Sequence, residues 1–226
     1  MLKLKSRLNM AAQMVRKGSR LADIGTDHAY LPASLILDGT VPCAIAADLR
    51  KGPLENAEAT VNHYGIAEKV QLRLSDGLKC VNRDEVDDIV IAGMGGILIS
   101  EILEAAPWVK DKNIQLILQP QTHDEILRKW LWENGFEITD EASCFDDGKT
   151  YICMAVRYTG EVTSHSEAEI LFGGFLSKKD EASVSFCEKK IHRTIVRLEA
   201  LRKSAPENQE TETLEKILNE VKQWQP

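Results

Sequence analysis

The chain has 226 residues, 43% of them hydrophobic and 28% charged, and its formal net charge is −7. Its length allows one substantial globular domain and a smaller one. No apolar run approaches the roughly 20 residues that a membrane span needs, so we expect no membrane partner. The acidic balance argues against non-specific coating of nucleic acid, although a local basic patch can still dock a phosphate backbone.

The cysteines and the amino terminus indicate the compartment. Five cysteines are scattered along the chain, without a CxxC pair or any metal-ligand spacing, so we expect free buried thiols and no metal. Residues 1–8 contain neither a long apolar core nor a small-residue cleavage site, which argues against a signal peptide. We therefore predict a protein of the reducing cytoplasm.

Strands and helices are predicted to alternate through the first 158 residues. Leu4, Leu8, Ala11 and Val15 recur at helical spacing and predict an amphipathic helix before the first strand. The remaining predictions are strands at 21–25, 42–48, 70–74, 86–92, 114–118, 136–139 and 151–158, and helices at 31–37, 53–64, 97–105 and 123–133.

This alternation implies a parallel sheet covered by helices on both faces. The last two strands flank a turn at 146–148 and predict an antiparallel hairpin at the sheet edge. Such a closing hairpin is typical of the seven-stranded, Rossmann-like class I methyltransferase fold rather than of a dehydrogenase. We therefore predict an α/β methyltransferase domain over residues 1–160.

A different pattern follows residue 160. Apolar residues spaced by three or four run through 184–201 and resume at 214–224, with a polar interruption at 203–208. Two helices joined by a short polar loop should pack as an antiparallel hairpin. Residues 161–226 are therefore predicted to form an all-α, coiled-coil-like tail.

The first predicted strand ends in the most informative segment, Asp23-Ile24-Gly25-Thr26-Asp27. An open α/β sheet binds a nucleotide-like cofactor at this end of its first strand. Dinucleotide sites need several glycines beside the pyrophosphate, whereas this turn has one glycine and two carboxylates that repel phosphate. The carboxylates favour the ammonium and sulfonium groups of S-adenosylmethionine, unless Asp23 only caps the next helix.

Carboxylates also end the next two strands. Asp48 is placed to accept both ribose hydroxyls of an adenosine, and Asp76-Gly77 to accept the adenine amino group. A solvated loop aspartate would also explain Asp48, and a type I turn would explain Asp76-Gly77.

The fourth strand is followed by Gly93-Met94-Gly95-Gly96. Methyltransferases of exocyclic base amines carry an (Asp/Asn)-Pro-Pro-aromatic motif here. This chain has none, which argues against methylation of an exocyclic amine and keeps a ring nitrogen as one candidate acceptor. The glycines allow close approach of a ligand or base, or form only a tight turn. The predicted cofactor-binding residues are Asp23, Gly25, Thr26, Asp27, Asp48, Asp76, Gly77, Gly93, Met94 and Gly95.

Six short runs are distinctive when taken together. They are ADIGTDHAYLP at 22–32, KGPLENA at 51–57, SDGL at 75–78, IAGMGG at 91–96, and LQP at 118–120 followed by RKWL at 128–131. Their sequences and order resemble the TrmK family of bacterial tRNA (adenine-22 N1)-methyltransferases. The resemblance implies transfer of a methyl group from S-adenosylmethionine to N1 of that adenine in tRNA.

The target adenine must then leave any pair or stack, because N1 lies on its Watson–Crick edge. Asp27, His28 and Tyr30 follow the cofactor turn and are the catalytic candidates for the pocket that receives the base. A tyrosine there can stack on a base or form a hydrogen bond with it, whereas His28 can equally be structural.

Two other functions remain open on the sequence alone. One is a class I methyltransferase acting on a small molecule or a protein, and the other is a non-catalytic tRNA-binding protein with a relic pocket. The acids at all three nucleoside positions argue against the relic.

Basic residues are concentrated in two segments. Residues 1–20 hold six bases and no acid, and residues 178–203 hold eight bases and four acids. Lys189, Arg193 and Arg197 are four apart and share one helix face, so this face either contacts tRNA phosphates or is a solvated flank. The predicted RNA-binding residues are Lys3, Lys5, Arg7, Arg16, Lys17, Lys189, Arg193 and Arg197.

Overall fold

The computed structural model describes residues 2–204 and 208–224, apart from the side chain of Gln223. The strands are β1 (Leu21–Ile24), β2 (Ala44–Asp48), β3 (Val70–Leu74), β4 (Asp88–Gly95), β5 (Gln115–Thr122), β6 (Phe136–Asp146) and β7 (Lys149–Tyr158). The α-helices are α1 (Ser6–Gln13), α2 (Tyr30–Leu37), α3 (Lys51–His63), α4 (Gly96–Glu104), α5 (Asp124–Glu133), α6 (Glu167–Phe172), α7 (Glu181–Ser204) and α8 (Gln209–Glu220).

The seven strands form one sheet in the order β3-β2-β1-β4-β5-β7-β6. Strands β1 to β5 are parallel to one another, and β7 is antiparallel to both β5 and β6. The predicted Rossmann-like sheet with a closing hairpin is confirmed. Because the strand order reverses between β1 and β4, a crevice opens at their carboxyl ends, which is where such sheets bind ligands.

Two apolar layers cover the sheet. One layer joins the β-sheet to α1, α2 and α3 through residues such as Ala11, Leu35 and Val61. The other joins it to α4, α5 and the tail through residues such as Leu103 and Leu127. The two faces of each central strand are therefore both buried, as a parallel sheet requires.

Three strands extend beyond their predicted ends. β4 continues through the glycine segment to Gly95, with register shifts around Met94, and β5 continues through Pro120 to Thr122. β6 runs to Asp146, whereas the sequence predicted its end at 139. β6 is the edge strand of the sheet, and its polar second half lacks the apolar alternation that identifies a half-buried strand.

The tail contains the predicted helical pair, α7 and α8, preceded by the short helix α6 that the sequence pattern did not indicate. Residues 205–207 of the predicted polar loop lie outside the described residues. Phe172, Phe175 and Cys187 belong to the same apolar cluster as Leu127 of α5. The tail therefore completes one face of the core, and its division from the domain at residue 160 stays a prediction.

A buried charge cluster holds the tail to the sheet. The Arg128 guanidinium is fully buried and donates to Asp124 Oδ2 (2.5 Å) and Glu141 Oε1 (2.9 Å). Lys190 of α7 lies 3.0 Å from Asp124, and the Gly174 amide donates to Glu141 Oε2 (2.5 Å). Burial alone would raise the pKa of Asp124, but the two cations outweigh it and hold that pKa below its ordinary value.

The five cysteines are free. Cys153 and Cys187 are buried, and burial raises the pKa of Cys153 to about 12 and that of Cys187 to about 11. Cys43 and Cys80 are exposed, so the expectation of buried thiols is wrong for these two, which lie outside the strands and helices. Within the described ranges, no helix has the length and apolar character needed to cross a membrane.

Arg128→Ala should lower the free energy of unfolding by about 3–5 kcal/mol, because Glu141 and Asp124 lose a buried counter-charge. Lys129→Ala is the matched control, since Lys129 is 56% exposed and lies 4.0 Å from Glu133. Surface changes of that kind shift stability by only about 0.5 kcal/mol. Urea denaturation measures both, and equal losses in the two variants would contradict the role of the cluster.

Candidate active site

The polar residues predicted after β1, β2 and β4 meet at one edge of the sheet. Asp23 lies in β1, Asp48 ends β2, and Gly93 lies near the end of β4. Parallel neighbours bring these carboxyl ends together across the switch point. The structure therefore brings these predicted residues together at the crevice, and their contact with a cofactor stays a prediction.

The turn after β1 is shaped by Gly25. Its φ of 80° is left-handed, and a Cβ at this position would lie 2.1 Å from the Met94 Cε atom. The amides of Gly25 and Thr26 both donate to the Ala47 carbonyl, at 2.8 and 3.0 Å. The Thr26 hydroxyl accepts from the Ala29 amide at 3.1 Å. Thr26 is buried and shapes the turn from inside, which gives no support to its predicted contact with a cofactor.

Asp23 is a buried carboxylate at this turn. Its pKa is raised to about 6, chiefly by burial and to a smaller extent by the nearby Asp48 carboxylate. The Thr26 hydroxyl and the Arg7 guanidinium partly offset this effect. A buried acid with a strongly raised pKa in a cleft is typical of a functional site. A cationic ligand group beside Asp23 would offset the free-energy cost of burying its ionised carboxylate.

Asp48 is also buried at the end of β2. Its Oδ1 atom accepts from the Arg50 amide at 2.8 Å, which fixes the carboxylate at the mouth of the crevice. Two carboxylates on adjacent strands thus face one space, and both remain candidates for a nucleoside cofactor.

Asp76 and Gly77 follow β3 on the outer side of the crevice. The Asp76 carboxylate is exposed and accepts from Lys79 Nζ at 2.5 Å. A Cβ at Gly77 would lie 3.0 Å from Ile102, so this glycine lets the loop approach α4. A cleft of about 530 Å³ runs along α4 from Asp76 to Trp108. For Asp76 to contact an adenine as predicted, its ion pair with Lys79 would have to break.

The glycine segment after Ala92 is strand as well as turn. Gly93 has a φ of 86°, and its amide donates to Gln119 Oε1 at 3.1 Å. A Cβ at Gly96 would lie 2.2 Å from the His123 carbonyl oxygen, so this glycine lets the β4–α4 and β5–α5 connections touch. The tight connection accounts for Gly96, and the close approach of a ligand or base at the other glycines stays a prediction.

Arg7 lies beside this crevice, and its predicted role as an RNA contact stays a prediction. Its Nη1 atom donates to Gln119 Oε1 at 2.8 Å and lies 3.3 Å from a Cβ built at Gly93. Its backbone amide donates to Asp146 at 3.2 Å, and its guanidinium lies 5.9 Å from the centre of the Tyr151 ring. The guanidinium is therefore aimed at the crevice.

A signal for this position was present in the sequence. Arg7 precedes Met10 and Ala11 by three and four residues, so it shares their helix face. Met10 and Ala11 are buried against the sheet. A cation on the buried face of an amphipathic helix indicates an inward role.

The three catalytic candidates lie together beside the turn. The rings of His28 and Tyr30 are stacked, with centroids 5.0 Å apart and planes within 6°. His28 Nε2 lies 3.4 Å from Asp27 Oδ2. Tyr30 is 41% exposed, so an incoming planar group can reach this pair.

The other predicted RNA contacts divide into accessible and engaged residues. Lys3, Lys5, Lys17, Lys189 and Arg193 are exposed, with Lys5 paired to Asp147 at 2.9 Å.

Two arginines are already committed to ion pairs. Arg16 donates to the buried Asp88 at the start of β4, which is the edge opposite the crevice, so the structure gives no support to its assignment to RNA. Arg197 makes a two-point pair with Glu210 of α8, at 2.8 and 3.0 Å, and therefore joins the helical hairpin together.

The sheet order, the closing hairpin and the acids at the ends of β1 and β2 define a class I methyltransferase. The methyltransferase domain family matches residues 4–154. A tRNA (adenine(22)-N(1))-methyltransferase of Bacillus subtilis (strain 168) is 36% identical over 185 residues, which cover 80% of this chain and 78% of that protein. The chain belongs to the TrmK family of tRNA (adenine-22 N1)-methyltransferases.

Solved structures agree over nearly the whole chain. The crystal structure of the B. subtilis M1A22 tRNA methyltransferase TrmK has a TM-score of 0.85 at 31% identity, covering 98% of this chain and 97% of that one. M. capricolum TrmK in complex with S-adenosylhomocysteine has a TM-score of 0.81 at 27% identity, with the same shares. The tail helices are thus part of the shared fold.

Metal ligation has no support in the described part of the chain. No group of three or more His, Cys, Asp or Glu side chains there is arranged to hold a metal ion.

Asp23→Asn should stabilise the protein at neutral pH. As pH rises from about 4 to 6, the unfolded state releases its Asp23 proton before the folded state does, so stability falls across that range and stays reduced above it. The difference in pKa corresponds to about 3 kcal/mol as an upper limit. Urea denaturation should therefore show a gain at pH 7.5 that is much smaller at pH 4.5.

Asp27→Asn is the control for this experiment, because the Asp27 side chain is 70% exposed. It should leave stability nearly unchanged at both pH values. A gain in Asp23→Asn that does not depend on pH would contradict a carboxyl with a raised pKa.

Proposed function

We propose that this chain transfers a methyl group from S-adenosylmethionine to N1 of adenine 22 in tRNA. The observation that carries the proposal is the buried pair Asp23 and Asp48 at the switch point, in a chain related over most of its length to an enzyme of that name. We further propose that it acts in the cytoplasm, where its thiols stay reduced.

The residues of the crevice suit the charges of the cofactor. When bound, S-adenosylmethionine supplies a methyl group activated by a sulfonium, and it also carries an ammonium, a carboxylate and a ribose. Asp23 offers its buried carboxylate to the cationic groups, and Arg7 offers a guanidinium to the carboxylate. Asp48 offers two acceptor oxygens to the ribose hydroxyls.

The protein's contribution to the reaction is chiefly positioning. The N1 lone pair forms the new N–C bond as the S–C bond breaks, and the electron pair of that bond stays on sulfur. N1 carries no proton that must first be removed, so a general base is unnecessary. The stacked His28 and Tyr30 would hold the displaced adenine in line with the methyl group, where alignment lowers the barrier. The Asp27 carboxylate would stabilise the positive charge that grows on the base.

The accessible bases Lys3, Lys5, Lys189 and Arg193 are proposed to contact tRNA phosphates around this site. Lys17 is exposed but lies in the segment that leads to the amino end of β1, away from the crevice. Removing residues 161–226 is not a clean test of the tail, because Phe172 and Phe175 complete the core. Substitutions in the full chain are required instead.

Nucleoside mass spectrometry tests the function directly. Incubation of an unmodified tRNA transcript with methyl-labelled S-adenosylmethionine should yield labelled 1-methyladenosine. A transcript with guanine at position 22 should yield none. Failure of the wild-type protein to label tRNA would favour a methyltransferase of a small molecule or protein. Failure to bind S-adenosylmethionine in calorimetry would favour a non-catalytic tRNA-binding protein.

Arg7→Met and Asp48→Ala should weaken cofactor binding in distinguishable ways. Loss of a charge-assisted bond costs about 1.5–3 kcal/mol, and Asp48→Ala should show this loss with S-adenosylmethionine and with its decarboxylated analogue. Arg7→Met should lose affinity for S-adenosylmethionine only, because the analogue lacks the carboxylate. Calorimetry measures each affinity. If Arg7→Met loses affinity equally for both ligands, Arg7 does not bind the cofactor carboxylate.

Tyr30→Ala should lower methyl transfer far more than cofactor affinity. Stacking on an unpaired base is worth about 1–3 kcal/mol, and Tyr30→Phe keeps the ring and should recover most of the rate. Steady-state kinetics with tRNA and calorimetry with the cofactor separate the two effects. If Tyr30→Ala loses cofactor affinity as strongly as turnover, Tyr30 belongs to the cofactor pocket instead.

A further inference from the structure

A groove of about 380 Å³ lies between the β6–β7 turn and helix α7. The end of β5, the first residues of β7 and the exposed side of α7 line it, through residues that include Gln121, Thr150, Tyr151, Lys189 and Arg193. Its volume is in the range of about 300–1,000 Å³ that small-ligand sites occupy. Sequence patterns indicated the basic face of α7 but not the groove, because the three segments that form it are far apart in the chain.

The groove is positively charged. Lys149, Lys189 and Arg193 line it, and none of the three pairs with an acid in the described residues. Lys189 Nζ instead donates to the neutral Thr150 hydroxyl at 2.9 Å, which holds the ammonium at the groove wall. Asp124 also lines the groove, but Arg128 and Lys190 already neutralise it.

The groove adjoins the crevice. Gln121 lines it, and Gln121 Nε2 lies 3.6 Å from a Cβ built at Gly93, the residue that faces Arg7 in the crevice. Tyr151 also belongs to both places, since it lines the groove and its ring lies 5.9 Å from the Arg7 guanidinium carbon. A polymer that enters the crevice can therefore continue into the groove.

We propose that this groove binds the nucleotide that neighbours the target adenine in the tRNA chain. This inference rests on the proposed function, because it deepens the recognition of the same substrate. Lys189 and Arg193 contact the phosphate, and the Tyr151 ring contacts the sugar or base. Cations and aromatic rings together are the combination that binds single-stranded nucleic acid.

This subsite differs from a diffuse basic helix face. Arg197 has the same helical spacing as Lys189 and Arg193, yet it is held by Glu210 and does not line the groove. The recognition unit is therefore the hairpin and α7 together, not α7 alone. Holding the neighbouring nucleotide limits the freedom of the displaced adenine, so the groove contributes to substrate affinity in both the ground state and the transition state.

The double variant Lys189→Ala/Arg193→Ala tests the charges of the groove. It should raise KM for tRNA roughly tenfold or more, since charge-assisted contacts are lost. kcat and the affinity for S-adenosylmethionine should be unchanged, as expected for a loss of uniform binding. The matched control is Lys203→Ala/Lys216→Ala, which removes the same charge from exposed positions of the tail outside the groove.

A second variant, Thr150→Trp, tests the groove as a shape. It fills the space without changing the net charge, and it should raise KM for tRNA while the cofactor affinity confirms an intact fold. Equal KM changes in the two double variants would overturn the subsite in favour of general electrostatic attraction. If Thr150→Trp places its side chain in the groove and the KM for tRNA is unchanged, the subsite is also overturned.

Different measurements test the proposed function and the proposed subsite. If the wild-type protein makes no 1-methyladenosine in tRNA, the proposed function fails before any variant is compared. If the wild-type protein makes it and both groove variants keep the wild-type KM for tRNA, the function stands and the subsite is wrong.

Discussion

The contact between Arg7 and Gln119 is the constraint on which the site depends. Gln119 Oε1 accepts from both the Arg7 guanidinium and the Gly93 amide, so one side-chain oxygen joins the amino-terminal helix, β5 and the glycine segment of β4. The backbone of Arg7 is in turn bound by Asp146 at the tip of the hairpin. Four segments distant in sequence thus converge beside the buried Asp23, and the crevice has its charges in place before a ligand arrives.

Local patterns were enough to predict the sheet but not its edges. The strand at 70–74 has its predicted bounds, because apolar alternation and flanking polar residues mark it clearly. The second half of β6 was missed, since an edge strand that packs under a helix on only part of its length has no regular apolar period. The acids and glycines of the crevice were found because strand ends converge in any parallel sheet.

What could not be predicted are roles set by contacts between distant residues. Arg16 looked like a solvent-exposed base, yet it neutralises the buried Asp88 at the edge opposite the crevice. The helical spacing of Arg7 indicated an inward face, but its contact with Gln119 of β5 could not be predicted from that spacing. Arg128 appeared in the sequence only as part of a family motif. Its pairs with Glu141 and Asp124 are covered by the tail, whose Ile170 carbonyl and Phe175 ring contact the guanidinium. Charge and helical spacing predict which face of a helix a basic residue occupies. Its role depends on the residue it contacts from a distant part of the chain.

The raised pKa of Asp23 means that the crevice binds a proton at this carboxyl in mildly acidic solution. In mildly acidic solution the empty site holds that proton, and a ligand that brings an ammonium beside the carboxyl must displace it. Association is then an exchange of one cation for another, and the medium takes up the hydrogen ion that leaves. Below about pH 6, protons compete with the ligand for the Asp23 carboxylate. The affinity of the site for a cationic ligand therefore depends on the pH of the solution.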